Sequence, residues 1–164
     1  MTEENLSELL NRINKMEQRL SVLEEIEEIK KLHRKYENYH TFGDDWGRLS
    51  CYSEDAVLEV EGTIYKGKTA IAEHMRLTGE PVPFVDKKEP LPDGHFAVHP
   101  IIEIEGNKAK GSWLMYEMHS HPRTYQSLFW IQGVYDYEYV KENGTWKFSY
   151  MKWRPRIHTP GTPP

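Results

Sequence analysis

Cysteine is almost missing from this 164-residue chain. Cys51 stands alone, so no internal disulfide can form, and a reducing, cytoplasmic setting is expected. Long apolar runs are missing too: none approaches the roughly 18 residues a membrane span needs, and mean hydropathy is −0.76. The N-terminus is acidic and polar rather than basic then apolar, so no secretory leader is expected. Positive charge is in short supply. With 21 Lys and Arg against 26 Asp and Glu, net charge is −5 and the pI about 5.9, which leaves no basic footprint for nucleic acid. The expected partners are a small-molecule substrate and further copies of the chain, with no nucleic acid and no membrane.

Aromatic residues are present in quantity. Five Trp, 10 Tyr and 5 Phe make 12% of a polar chain, which favours a ring-lined interior. The length suits one domain able to bury a core without disulfides.

Residues 3 to about 40 read as one helix with two apolar stripes. Leu6, Leu9, Ile13, Met16, Leu20 and Leu23 follow alternating steps of three and four, the spacing of a coiled-coil seam. That stripe fails at Glu27 and Lys30, and a second begins with Ile26, Ile29, Leu32 and Tyr36. The first stripe predicts self-association as a dimer or trimer, and the second should face the domain's own core. Residues 1–24 are therefore expected to be an oligomerising extension, 25–155 the domain, and 156–164 an extended tail beginning near Pro155.

After Gly43, Asp44 or Asp45 can cap a short second helix. Ala56 to Glu61 alternates apolar and polar residues as a strand does. Gly62–Gly67 reads as a turn, Lys68–Met75 as a short helix, and 78–94, with four prolines, as a long loop of the kind that forms lids. Four strands are expected at about 95–104, 109–121, 126–140 and 146–154. The predicted fold is α+β, a curved, mixed but mainly antiparallel sheet wrapped into a cone around the long helix.

The first two of those four strands hold four of the eight histidines, His95, His99, His119 and His121, and a mid-strand carboxylate, Glu117. Histidine suits proton transfer near neutral pH. Side chains two apart on a strand share a face, so Trp113, Met115, Glu117, His119 and His121 should line a pocket while Leu114, Tyr116 and Met118 pack under the helices. On a regular strand His95 and His99 would also share a face. A buried Glu117 needs a partner, and Arg154 is the candidate. Tyr36, Tyr39 and His40, at the end of the long helix, should stand at the cone's mouth. Trp113, Phe129, Trp130 and Tyr135 would suit a flat ligand.

The pieces YSEDAVLEVEG, IYKGKTAIAEHM, HFAVHPIIEIEGNKAKGSW and GVYDYEYVKENGTWKF, in this order after a long helix, resemble the NTF2-like superfamily. The branch is the SnoaL-like one, which includes scytalone dehydratase and the bile-acid 7α-dehydratases. The resemblance covers about residues 24–154 and implies a metal-independent lyase without cofactor, a dehydratase acting on a small ring-containing hydroxylated substrate. By the family's pattern the catalytic histidines fall on His95 and His119. The aspartate that family dehydratases place before the Gly-Asp-Trp segment is absent, and His40 or Glu117 would take its place. Tyr36, Tyr39, Trp113, Trp130, Tyr135 and Arg154 would bind substrate.

Three other readings use the same residues. A double-bond isomerase or polyketide-cyclase-like enzyme needs nearly the same groups, and a non-enzymatic ligand-binding or assembly module would use the fold alone. A metal site could draw on His119-x-His121 with His95 and His99, although no carboxylate follows that pair at short range, and no metal is expected.

Overall fold

Two apolar stripes on one helix demand two environments, and they receive them. A computed structural model describes residues 3–77, 94–120 and 127–159, with the side chains of residues 3, 4, 119, 120, 127 and 128 excepted. Helix α1 runs Glu3–Thr41, about 58 Å at the usual rise. Its second stripe is buried, with Ile29, Leu32 and Tyr36 between 0% and 8% exposed and His33 beside them at 1%. Its first stripe, Leu6 to Leu23, is exposed throughout. The crossover is pinned by Glu25, whose carboxylate accepts from Lys141 Nζ at 2.5 Å and Trp146 Nε1 at 2.6 Å. The Lys141 bond, against opposing burial, holds that carboxyl below the usual carboxylate range.

Helix α2 (Asp45–Ser50) is capped by Asp44, whose Oδ1 accepts from Gly47 N at 2.8 Å. Strand β1 (Tyr52–Val60) starts earlier than the alternation at 56–61 suggests, because Tyr52 and Ser53 are already buried against the core. Gly62–Gly67 does not merely turn. Glu61 and Gly62, both at positive φ, form the two-residue turn that folds β2 (Thr63–Lys66) back onto β1. Helix α3 (Lys68–His74) follows. The proline-rich segment 78–93 lies outside the described residues.

Strands β3 (Gly94–Glu105), β4 (Lys108–Ser120), β5 (Ser127–Glu142) and β6 (Thr145–His158) form an antiparallel meander. Asn143-Gly144, both at positive φ, make the turn between β5 and β6. The sheet order is β2-β1-β6-β5-β4-β3, with β1 parallel to β6, so the sheet is mixed and open at β2 and β3. The expected tail is a correction: β6 continues past Pro155, which pairs with Gly133, to His158 opposite Ile131. Beyond Lys152 only β5 flanks β6, an edge position of the kind where proline's missing N–H is tolerated.

The β4 face assignment also needs correcting in part. Trp113 and Met115 are buried at 5% and 0%, while Tyr116 is 41% exposed. The face bearing Glu117 therefore packs under the helix as well as lining the site, and the Leu114–Tyr116–Met118 face looks outward. Strand curvature is local. At the irregularity beside Gly133, a Cβ would sit 2.3 Å from the Trp153 ring and 2.6 Å from the Arg154 carbonyl oxygen, so only glycine lets β5 and β6 close up there.

Candidate active site

The core carries an unusual polar thread. Trp113 Nε1 donates to Tyr139 Oη at 2.9 Å, and Tyr139 Oη lies 2.7 Å from His33 Nε2. The phenol oxygen thus accepts from tryptophan and shares a second hydrogen bond with the imidazole, whose direction follows the His33 tautomer. Nδ1 is buried without a partner, and burial pushes His33 well below its ordinary pKa. His33 also stacks on Trp113 at 3.8 Å between centroids. This neutral ring sets the angle of Trp113 at the wall of the site.

One turn further along α1 lies Glu37. Its Oε2 pairs with Nδ1 of His95, which β3 carries in from 58 residues away. His95 is buried at 8%, so a carboxylate and an imidazole are held together away from most solvent. The other oxygen, Glu37 Oε1, is buried with no partner among the described side chains. His40, one turn beyond Glu37, stacks on His95 at 4.4 Å and 29°. Strand register sets Glu117 opposite His95, and one ligand atom each from His40, His95 and Glu117 lies within 4.8 Å of the others.

Tyr135 stands beside this group, with its ring 6.4 Å from that of His95. Burial, then the neighbouring Tyr36, Glu117 and Glu37, push its hydroxyl well above the ordinary tyrosine range. It is therefore a hydrogen-bond donor at neutral pH. A cleft of about 550 Å³ between α1 and β3 reaches Glu37, His95 and Trp113, with Lys30 and Arg34 also lining it. A larger cavity of about 740 Å³, lined by Asp55, Glu103 and Tyr150 among others, touches neither Glu37 nor His95 and is lined by no histidine.

The structure thus brings together His95, His40, Glu117, Trp113 and Tyr135. Tyr36 is close by but already engaged, accepting from Arg48 Nη2 at 3.1 Å and lying 3.4 Å from the Tyr52 hydroxyl. Tyr39 is half-buried against α2, its ring within van der Waals reach of Gly47 and under the Lys35 ammonium.

Other expected members are elsewhere. Arg154 does not reach Glu117: it is exposed and pairs with Asp136 at 2.6 and 2.8 Å. Trp130 is 44% exposed and pairs in register with Met118 on the outward side. Phe129 packs against the ring of His158 at 5.1 Å. His99 is exposed at positive φ within an irregularity between Val98 and Ile101, which breaks the alternation that would have aligned it with His95. His119 lies in β4 opposite Phe129, but its side chain, like all of His121, falls outside the described residues.

Glu37 and His33 are the residues that sequence reasoning missed. The signal was available in the second stripe: positions 29, 33, 36, 37 and 40 fall on adjoining rows of the same helix, so a histidine and a carboxylate sit beside buried apolar residues.

A family model described as SnoaL-like domain matches residues 21–152. No curated protein matches the chain. Among solved structures, hexachlorocyclohexane dehydrochlorinase LinA type 2 is 22% identical with a TM-score of 0.68, covering 88% of this chain and 93% of that one. A provisionally assigned scytalone dehydratase from Novosphingobium aromaticivorans is 17% identical with a TM-score of 0.68, covering 87% and 91%. The association domain of C. elegans CaMKII is 12% identical with a TM-score of 0.63, covering 81% and 97%. At such identities the likeness is one of fold: an open, curved sheet around a long helix.

Proposed function

The chain belongs to the SnoaL-like domain family, and from that premise we propose that it is a lyase, a dehydratase that removes water from a small ring-containing hydroxylated substrate. The observation that carries this reading is the buried Glu37–His95 pair at the α1–β3 cleft. With Nδ1 held by the Glu37 carboxylate, His95 presents Nε2 as the base, and the carboxylate orients the ring and stabilises the imidazolium that forms.

In this reading Nε2 takes the proton α to a carbonyl, and the C–H electron pair moves toward that carbonyl oxygen. The Tyr135 hydroxyl, protonated at neutral pH with its pKa raised further by its surroundings, donates to the oxygen as it gains charge. Collapse of the enolate forms the carbon–carbon double bond and breaks the C–O bond to the leaving hydroxyl. His40 or Glu117, in acid form, supplies the proton that lets it depart as water. Trp113 provides an apolar wall for the ring. The two similar enzymes named above, a dehydrochlorinase and an assigned dehydratase, lend support because elimination beside a carbonyl and elimination of another leaving group both begin with removal of a proton.

An oligomer joined through the exposed Leu6–Leu23 stripe belongs to the same reading, as does cytoplasmic residence, which the single free, buried Cys51 favours. No helix among the described residues is long and apolar enough to cross a membrane.

The test is a panel of cyclic β-hydroxyketones followed by the near-ultraviolet absorbance of the conjugated enone. His95→Ala should lower kcat/KM about 10²–10⁴-fold, the worth of one positioned base, and Glu37→Gln about 10-fold or more. Turnover that survives His95→Ala in the folded protein sinks the assignment. Solvent deuterium entering the substrate without loss of water would favour the isomerase instead.

A further inference from the structure

We propose that His40, His95 and Glu117 form a three-ligand site for a divalent transition cation, zinc being the probe. This goes beyond the acid–base reading and does not depend on it. Three atoms mutually within 4.8 Å share a point no more than about 2.8 Å from each, so closing to zinc's usual bond of about 2.1 Å needs each to move only about 0.7 Å. His40 and Glu117 are half-buried, His95 buried, and side chains so placed make such shifts by small torsions.

The ligands come from α1, β3 and β4, three elements that meet only in the folded chain. Two imidazoles and one carboxylate are a donor set suited to zinc and its borderline neighbours, with coordination positions left over for water or substrate. The independent support is Glu37. Ligating histidines usually give their other ring nitrogen to a carboxylate, which fixes the ring and makes it a better ligand. His95 Nδ1 is already held by Glu37, leaving Nε2 for the ion.

This site is not the His119-x-His121 arrangement that sequence spacing suggested. A cation here would occupy the lone pair that His95 needs as a base, so loaded and proton-transferring states exclude one another.

The experiment uses full-length, tag-free protein treated with chelator, dialysed against zinc with metal counted by emission spectroscopy, and repeated with cobalt(II) to read its visible absorption. One zinc per chain is expected. Glu37→Gln should weaken it about 10–100-fold, as loss of such an outer partner does, and His40→Ala and Glu117→Gln by more. A His99→Ala, His158→Ala double variant, which removes two exposed histidines, should bind unchanged. Uptake below one per chain, or uptake indifferent to His40→Ala and Glu117→Gln in folded protein, overturns the proposal. Elimination by chelated protein is scored separately: its presence supports the base role of His95 and its absence counts against that role, whichever way the zinc titration falls.

Discussion

His33 makes the stability of this protein pH-dependent in a way that can be worked out. The ring is 1% exposed, stacked on Trp113 and hydrogen-bonded through Nε2. Burial lowers its pKa well below 6.5 in the folded state, while the unfolded chain titrates near the ordinary value. Below pH 6.5 the unfolded state therefore binds a proton that the folded state refuses. Stability from this group is complete above about pH 6.5 and is lost as pH falls toward the folded pKa, with a slope approaching about 1.4 kcal/mol per pH unit. Integrated from pH 7 to pH 5, the loss is at most about 2 kcal/mol, reached if the folded ring takes up no proton in that range. The perturbation is His33→Gln, whose amide can keep the hydrogen bond with Tyr139 but cannot titrate. Urea unfolding of both proteins at fixed concentration and at pH 7, 6 and 5 gives the difference in stability. Histidines common to both proteins cancel in that difference. The wild-type advantage should shrink over the range, by up to about 2 kcal/mol. A difference that stays level from pH 7 to pH 5 would refute the claim that burial holds His33 neutral.

Two further outcomes follow from packing. Ile13→Asp with Leu20→Asp changes only exposed positions of α1 yet breaks the heptad seam, so light scattering should show the wild type as a dimer or larger and the variant as a smaller species; a wild type that is monomeric at high concentration would end the coiled-coil reading. Gly133→Ala puts a Cβ 2.3 Å from the Trp153 ring and 2.6 Å from a backbone oxygen, and should cost about 2–3 kcal/mol, within the range for overpacking, with a stability unchanged to within 0.5 kcal/mol (~) in thermal unfolding counting against that account of the bend.

Much of the fold is local information. The two stripes of α1, the Asp44 cap and the Asn143-Gly144 turn each depend on residues a few positions apart, and each is legible as a spacing or a turn signal. The four long strands are legible for the same reason. Boundaries are where this reading slips. β1 begins at Tyr52 because burial, not alternation, recruits it, and β6 passes through Pro155 because an edge tolerates a missing donor. The short β2 looked like turn because its four residues carry only a weak alternation.

By itself the sequence determined that a long helix precedes a curved antiparallel meander, and that His95 stands near the start of that meander. Periodicity and turn residues carry that much, since they act over one turn or one hairpin. What only the tertiary structure decided is which groups meet. Glu37 reaches His95 because α1 lies against β3, Arg154 is taken by Asp136 on the adjacent strand, and Trp130 turns outward by one step of parity. Pairing across 58 residues is set by helix rotation and strand register together, and neither is written in any short stretch of the chain.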